Sequence, residues 1–194
     1  MLSKKYSRRY ALHMAAGMAL GSHGSARSAT YPDRPLRLVI GFPPGGPVDI
    51  AGRLIGEILS SALKQPVVVD NKPGAGGAIG LDAVAKAAPD GLTLGIGPVS
   101  CMAIMPAGGV KLPYQVERDF TMISMLATLG GAILVHPDAP FSDLAGLLAY
   151  ARANPGQLAF GSSGVGTSSH LAGELLAYRA GVEMVHVPYR GTAP

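Results

Sequence analysis

The sequence has little of three things: cysteine, charged residues and long hydrophobic runs. Its single cysteine, Cys101, excludes an intrachain disulfide, and with no histidine or lysine near it in the sequence we expect a small buried side chain rather than a reactive thiol. Charged residues make up 14% of the chain and hydrophobic residues 48%, a balance typical of a globular protein and not of a disordered one. Beyond the N-terminus, no apolar run reaches the length of a transmembrane helix.

The positive charge of the chain is concentrated at its N-terminus. The formal net charge is +4, but residues 1–29 contain five basic residues and no acid, which leaves 11 of the 16 basic residues against 12 acidic ones in the rest. A body that is close to neutral does not favour nucleic-acid binding.

The first 29 residues are typical of an export signal peptide. A basic region at residues 4–9 precedes an apolar segment at 10–20, and small residues follow, with cleavage expected near Ala26 to Ala29. The pair Arg8 and Arg9 leaves the twin-arginine route open beside the general one, and a leader without export function is the alternative. The interpretation predicts an exported protein.

A strand, a tight loop and a helix follow one another between residues 36 and 63. The run LRLVI at 36–40 predicts a strand, and residues 41–47 contain too much proline and glycine for regular structure. A helix with an apolar face is predicted by the helical spacing of Ile50, Leu54, Ile55 and Ile58. Free N–H groups at such a corner point toward one spot and the helix dipole adds partial positive charge, so this corner is a candidate anion site.

Alternating strand and helix signals continue along the chain and predict an α/β fold. Further strands are expected at residues 65–70, 92–97, 119–126, 132–136, 158–160 and 182–187, and helices at 78–88, 144–153 and 168–180. This order predicts doubly wound parallel sheets in two lobes, residues 30–128 and 129–194. The break at Gly130 and Gly131 is either a hinge or a simple bulge. Because the second lobe has too few strands to close a core, we expect the sequence to be the front portion of a longer protein.

Residues 161–170 form a second glycine-rich corner between a strand and a helix. Their hydroxyl groups can donate to a carboxylate or hold a bridging water. Neither corner contains lysine or arginine and the P-loop pattern is absent, so a carboxylate suits these neutral donors better than a phosphate. The two corners predict the two sides of a carboxylate-binding cleft, with ordinary tight turns as the alternative.

Other patterns in the sequence favour different kinds of site less strongly. The segment GAGGAIG at 74–80 matches a dinucleotide fingerprint only loosely, because its third glycine falls one residue late. A serine-dependent α/β hydrolase-like enzyme would use Ser163 or Ser168 with His170, but no acid follows in the required chain order. No cluster of His, Cys and Asp has metal-ligand spacing, so no metal or other cofactor is expected, and His136 and His186 are expected within strands. A truncated product without a working site is the last alternative.

Several short motifs, spread in order over nearly the whole chain after residue 30, resemble the tripartite tricarboxylate transporter substrate-binding proteins, the Bug receptors. They are YPDRP at 31–35, FPPGG at 42–46 with Asp49, NKPGAGG at 71–77, APDG at 88–91, GVGTSSHLAGE at 164–174 and VPYRG at 187–191. The ordered set is far more specific than any one motif. Where the family often has Gly-Gly-x-Thr-Asp, this chain has GGPVD at 45–49, so the threonine contact is absent.

The resemblance implies a periplasmic binding protein of type II-like, Venus-flytrap architecture that is not an enzyme. Such a receptor captures a small carboxylate-containing solute between two lobes and hands it to the membrane permease subunits of a tripartite transporter. We further expect a monomer with no nucleic-acid partner. The ligand-binding residues that the resemblance implies are Phe42, Pro43, Pro44, Gly45, Ser100, Gly164, Gly166, Thr167, Ser168 and Tyr189. The hydroxyl group of Ser163 in the second corner adds one more expected ligand-binding residue.

Overall fold

The run LRLVI forms the first strand, β1 (Leu36–Ile40), which is the middle strand of a parallel sheet. In the computed structural model β1 pairs with β2 (Val67–Asn71) on one side and with β3 (Thr93–Ile96) on the other. A central parallel strand is covered on both faces, and four of its five residues are at most 2% exposed. The prediction of parallel α/β structure in this half of the chain is confirmed.

The structure describes residues 31–192. The predicted export signal, residues 1–29, lies outside the described residues and remains a prediction. From Arg34 onward the described chain belongs to one compact unit. Within residues 31–192, no helix has both the length and the apolar character that crossing a bilayer requires.

The helix after β1, α1 (Pro47–Leu63), packs on the sheet with Gly52 and Gly56 buried, and its Ile55, Leu59 and Leu63 side chains are half-buried. A Cβ built at Gly52 would lie 2.5 Å from Ile40 Cδ1, so the helix approaches the strand more closely than any side chain permits. Three of the four residues of the predicted apolar face are exposed: Ile50, Leu54 and Ile58 are 54%, 57% and 63% accessible, whereas Ile55 is half-buried. Helical spacing alone identified the helix but not most of the face that it buries.

A small core forms beneath the loops that follow β2 and β3. A short turn, Ala75–Gly77, leads into helix α2 (Ala78–Ala85), which contributes Ala78 and Leu81 to a cluster with Cys101 and Tyr114. Cys101 is fully buried, as its sequence context predicted, and burial raises the pKa of its thiol. Its Sγ–H donates to the Gly76 carbonyl at 2.8 Å, so the thiol holds a loop of the candidate site in place.

The segment 119–136 does not form the two strands that its sequence predicts. A single helical turn, Val116–Asp119, ends at the first residue of this segment, and residues 120–136 have no regular structure. Its large apolar side chains are exposed; among them Ile123, Met125 and Leu134 are more than 80% accessible. A β-strand requires a neighbouring strand to pair its backbone N–H and C=O groups, and the described residues offer none here. The predicted hinge at Gly130 and Gly131 remains a prediction.

Two helices accompany the second sheet. Helix α3 (Leu144–Ala153) begins at Asp143, whose side chain accepts a hydrogen bond from Gly146 N–H at 2.7 Å. Helix α4 (Ser168–Ala180) is capped by Thr167 at its N-terminus and by Gly181 at its C-terminus. Gly181 adopts the left-handed conformation expected of a C-terminal cap.

The second sheet has two parallel strands, β4 (Ala159–Ser162) and β5 (Val185–Pro188). Their pairing places Ser162 beside Pro188, so both strands end at the same edge. The loops that follow therefore begin side by side, as open α/β sheets require for a ligand site.

A candidate ligand-binding cleft

A cavity of about 300 Å³ lies among the loops that follow four of the five strands. Its lining residues are Gly41, Phe42, Gly74, Ala75, Gly76, Gly77, Ser163, Gly164, Val165, Pro188, Tyr189 and Arg190. These loops come from the carboxyl ends of β1, β2, β4 and β5, so both sheets contribute to one cleft. The volume is at the lower end of small-molecule sites, which limits the occupant to a small solute.

Glycines allow the two sides of the cleft to meet. Gly76 and Gly164 both have positive φ, and a Cβ at Gly76 would lie 3.3 Å from the Val165 carbonyl oxygen. On the other side, a Cβ at Gly191 would lie 2.8 Å from Pro43 Cδ, so the chain after β5 touches the first corner. Larger residues at these positions would separate the loops, so the glycines determine the shape of the cleft.

Asp49 organises the first corner. Its carboxylate, only 2% exposed, accepts hydrogen bonds from Gly45 N–H at 2.9 Å, from Arg53 Nε at 2.9 Å and from Asn71 Nδ2 at 2.8 Å. The Arg53 hydrogen bond is the largest of several effects that lower the pKa of Asp49 to about 2, against the opposing effect of burial. Asn71 Nδ2 also donates to the Phe42 carbonyl at 3.0 Å, which connects the end of β2 to the loop after β1.

The predicted site residues of the first corner lie in different places. Phe42 lines the cleft, whereas Pro43, Pro44 and Gly45 are not among its lining residues. The Gly45 amide, predicted as a free donor, is bonded to Asp49. Ser100, 3% exposed, also lies away from the lining, with its Oγ 3.7 Å from Cys101 Sγ.

The predicted site residues of the second corner also lie partly in the lining of the cleft and partly outside it. Ser163, Gly164 and Tyr189 line the cleft, whereas Gly166, Thr167 and Ser168 do not. Thr167 acts as the helix cap: its Oγ1 accepts from His170 N–H at 3.4 Å and donates to the Gly164 carbonyl at 2.6 Å. Gly166 N–H donates to His170 Nδ1 at 3.2 Å, and Ser168 is exposed.

Behind the second corner, the fold brings together two histidines that the sequence analysis kept apart. The rings of His170 on α4 and His186 on β5 have centroids 4.0 Å apart, and Ser162 Oγ lies 2.6 Å from His186 Nε2. Burial, followed by the charge of His170, lowers the pKa of His186, and Glu174 opposes the shift. Glu174 Oε1 lies 3.7 Å from His170 Nε2.

Two histidines and Glu174 have ligand atoms within 4.8 Å of one another, a set that sequence spacing did not reveal. The two rings stack at 34°, so their in-plane lone pairs run nearly side by side and do not converge on one point. Ser162 and Gly166 already occupy a nitrogen of each ring. The arrangement therefore suits hydrogen bonding within the loop better than metal chelation.

The serine and histidine pairs predicted for a hydrolase are not formed. Ser163 Oγ lies 3.0 Å from Ser169 Oγ, and His170 Nδ1 is occupied by the Gly166 amide. The serine that does contact a histidine is Ser162, which is 6% exposed and whose Oγ accepts the Gly164 amide at 3.1 Å. A hydroxyl held in this way stabilises the loop and is not accessible to a substrate.

Sequence reasoning missed three parts of the lining: residues 74–77, Pro188 and Arg190. Arg190 is the only charged residue of the lining and forms no salt bridge with any other described residue. The rule that ligands bind at the carboxyl ends of parallel strands, applied to β2 and β5 as it was to β1 and β4, would have included these loops.

Residues 51–194 match the model of the tripartite tricarboxylate transporter family receptor. The protein named "UPF0065 protein in tcbD-tcbE intergenic region" from Pseudomonas sp. (strain P51) is 45% identical over 187 residues, 96% of this chain and 55% of that protein. Protein BugT of Bordetella pertussis is 38% identical over 170 residues, 85% of this chain and 51% of that protein.

Solved structures share the fold. One described as a periplasmic transporter superposes with a TM-score of 0.80 at 43% identity, and it is covered over 55% of its length by 84% of this chain. R. palustris Rpa4515 with adipate gives a TM-score of 0.80 at 35% identity over the same shares. MatC from Rhodopseudomonas palustris with bound malate gives 0.73 at 31% identity, with 83% of this chain covering 55% of it.

The chain thus spans about half the length of the curated relatives and solved structures that it matches. Over that half, the family model, the relatives and the periplasmic binding protein fold all agree. The chain belongs to the tripartite tricarboxylate transporter family of receptors.

Proposed function

We propose that this chain provides a carboxylate-binding cleft of a periplasmic receptor that serves a tripartite tricarboxylate-type transporter. The observation that carries the proposal is the charge of the cleft: eleven neutral lining residues, most of them glycines or apolar residues, and one arginine without a salt bridge among the described residues. The Arg190 side chain is exposed, and a guanidinium without a carboxylate partner attracts an anion and matches the planar shape of a carboxylate. Relatives solved with adipate and with malate have carboxylate ligands.

The carboxylate would be held from both sides of the cleft. Ser163 offers a hydroxyl, and Phe42 and Tyr189 offer apolar surface for the carbon chain of the solute. The other residues predicted for the site, among them Gly45 and Thr167, would act by keeping the corners in shape. If residues 30–128 and 129–194 move as two lobes, the ligand stabilises the closed arrangement by contacting both.

The remaining properties belong to the same proposal. The chain would act as a monomer without catalysis, after export directed by residues 1–29, and would pass its solute to the permease subunits of the transporter. A receptor needs no reacting group in its cleft. The only serine that contacts a histidine among the described residues, Ser162, is buried, which favours a binding function of the chain over hydrolysis.

Calorimetry on the full chain tests the proposal directly. Adipate should bind, whereas adipamide, which has the same carbon chain and no charge, should bind at least about tenfold more weakly, because charge-assisted hydrogen bonds are roughly twice as strong as neutral ones. The variant Arg190→Gln should lose at least about tenfold in adipate affinity for the same reason. Arg179→Gln, at the far end of α4, is the matched control and should bind as the wild type does.

Two results would refute the proposed function. One is equal affinity for adipate and adipamide, which would show that the charge of the ligand is irrelevant. The other is the absence of binding to adipate, malate and a wider panel of carboxylates under conditions in which thermal unfolding shows the chain to be folded.

A further inference from the structure

Four backbone amides that line the cleft already donate hydrogen bonds within the protein. They are the amides of Gly77, Ser163, Gly164 and Tyr189. The first donates to the Gly74 carbonyl at 3.0 Å and the second to Ser169 Oγ at 3.1 Å. Ser162 accepts the other two, through its Oγ at 3.1 Å and its carbonyl at 2.9 Å. Such amides are poorer donors to a ligand, because the new hydrogen bond would have to replace the existing one.

The charged and hydroxyl side chains of the lining offer one place for a negative charge. Within residues 31–192, Arg190 is the only charged residue of the lining, and it has no salt-bridge partner there. The Ser163 hydroxyl lies 3.0 Å from Ser169 Oγ, so part of its hydrogen-bonding capacity is already used. A second carboxylate inside the cleft would therefore lack a cation, and an unpaired charge that leaves water is costly.

Two aromatic rings give the cleft apolar walls on both sides. The Phe42 ring lies against Gly77, where an added Cβ would be 2.9 Å from Phe42 Cε2. The Tyr189 ring lies against Gly161, where an added Cβ would be 3.3 Å from Tyr189 Cε2. Phe42 follows β1 of the first sheet and Tyr189 follows β5 of the second. A solute in the cleft therefore meets an aromatic ring from each sheet.

The size of the cavity limits the carbon body that these walls can cover. Its volume of about 300 Å³ corresponds to about ten water molecules, at ~30 Å³ for each in the liquid. A solute with about that many non-hydrogen atoms fits, and hexanoate is within this size.

We propose that the cleft selects a monocarboxylate with an apolar body of about five carbons, and that Phe42 and Tyr189 determine this specificity. The inference rests on the proposed carboxylate-binding function and narrows it. The single carboxylate binds the Arg190 guanidinium, and the carbon chain lies against the two rings. The second carboxylate of a dicarboxylate such as adipate has no cationic counterpart among the described lining residues.

Calorimetry on the full chain at about pH 7, where these acids are ionised, tests the proposed specificity. From propanoate to hexanoate, affinity should rise about fourfold with each methylene, the factor that corresponds to burial of one such group. Hexanoate should bind at least about fourfold more tightly than adipate, which has a carboxylate in place of the terminal methyl group.

Replacing Tyr189 by Ala separates contact with the carbon chain from binding of the anion. Tyr189 is 52% exposed, so the variant should fold, and thermal unfolding checks this. Its gain per methylene should fall below about twofold, whereas its affinity for propanoate should change little. Tyr189→Phe, which keeps the ring, should retain the wild-type gain. Tyr178→Ala, which removes an 85% exposed tyrosine outside the lining, is the matched control and should retain it too.

The outcomes separate this inference from the proposed function. If adipate binds as tightly as hexanoate or more tightly, or if affinity does not rise along the series, the specificity is overturned and the carboxylate-binding function stands. An unchanged gain per methylene in Tyr189→Ala overturns the role of the ring in the same way. If none of these acids binds to a chain that thermal unfolding shows to be folded, the function itself fails, and the inference fails with it.

Discussion

Replacing Asp49 by Asn tests whether the first corner depends on one buried charge. The carboxylate of Asp49 accepts hydrogen bonds from Gly45, Arg53 and Asn71. An asparagine keeps the shape, but it loses the charge and turns one acceptor into a donor that faces other donors. The structure thus predicts a loss of folding stability without any change in side-chain volume.

The size of the loss follows from the pKa of Asp49, which the fold lowers from 3.8 to about 2. At 1.36 kcal/mol per pKa unit, the charged form contributes about 2 kcal/mol to the free energy of unfolding at neutral pH. Because the pKa is lowered on folding, this contribution is complete above the unfolded value of 3.8 and disappears as pH falls through about 2. By about pH 3, roughly half of it should be gone.

Urea denaturation of the wild type and of Asp49→Asn at about pH 7 and about pH 3 measures this prediction. The variant should be less stable by about 2 kcal/mol at the higher pH and by about half as much at the lower. Asp138→Asn, which changes a side chain that is 89% exposed, is the matched control and should have little effect at either pH. A loss below about 0.5 kcal/mol, or one of equal size at both pH values, would contradict the importance of the charge.

Three further substitutions test the fold and the second corner. Gly52→Ala should lower the free energy of unfolding, measured with urea, by about 1–3 kcal/mol, because its Cβ would overlap Ile40. Gly130→Ala is the control and should be close to neutral, because a Cβ there would have nothing within 4 Å. Equal effects of the two substitutions would contradict the close approach of α1. Thr167→Ala should cost about 1 kcal/mol through loss of the α4 cap, and an unchanged urea midpoint would rule that cap out. Leu54→Gln should change stability by less than about 0.5 kcal/mol, because Leu54 is 57% exposed; a larger loss would mean that this face of α1 is buried.

Local patterns predicted the strands and helices that have a partner nearby in the structure. The β-branched runs at β1 and β2 and the capped helices α3 and α4 were identified because their signals lie in consecutive residues. The segment 120–136 carries equally strong strand signals and forms no strand. The missing component is a pairing partner, and no local pattern can report whether one is present.

The buried face of α1 shows a second limit of sequence patterns. Hydrophobic spacing assumes that the apolar side chains point toward the core, but Gly52 and Gly56 make the closest approach to the sheet and leave Ile50 and Leu54 exposed. A helix with two glycines four residues apart offers a flat surface to a strand, and that signal was present in the sequence.

The candidate site was predicted in outline and not in its chemistry. Strand-to-helix corners placed the cleft near Phe42 and Ser163, because the ends of parallel strands share an edge. Which backbone groups remain free depended on contacts that no local pattern reports. The Phe42 carbonyl accepts from Asn71, which is distant in sequence, and the Gly166 amide donates to His170, whose position on a helix must be known first. Arg190 entered the lining only because β5 lies beside β4.

The burial of Cys101 has a practical consequence for measuring ligand capture. Its sulfur is inaccessible and bonded to the Gly76 carbonyl, and its thiol has a raised pKa, so maleimide reagents should not modify it in the folded chain. A cysteine introduced at Val165, 63% exposed at the edge of the cleft, would then be the single site for an environment-sensitive fluorophore. A chain labelled at this one position would report the proposed binding of a carboxylate as a change in fluorescence.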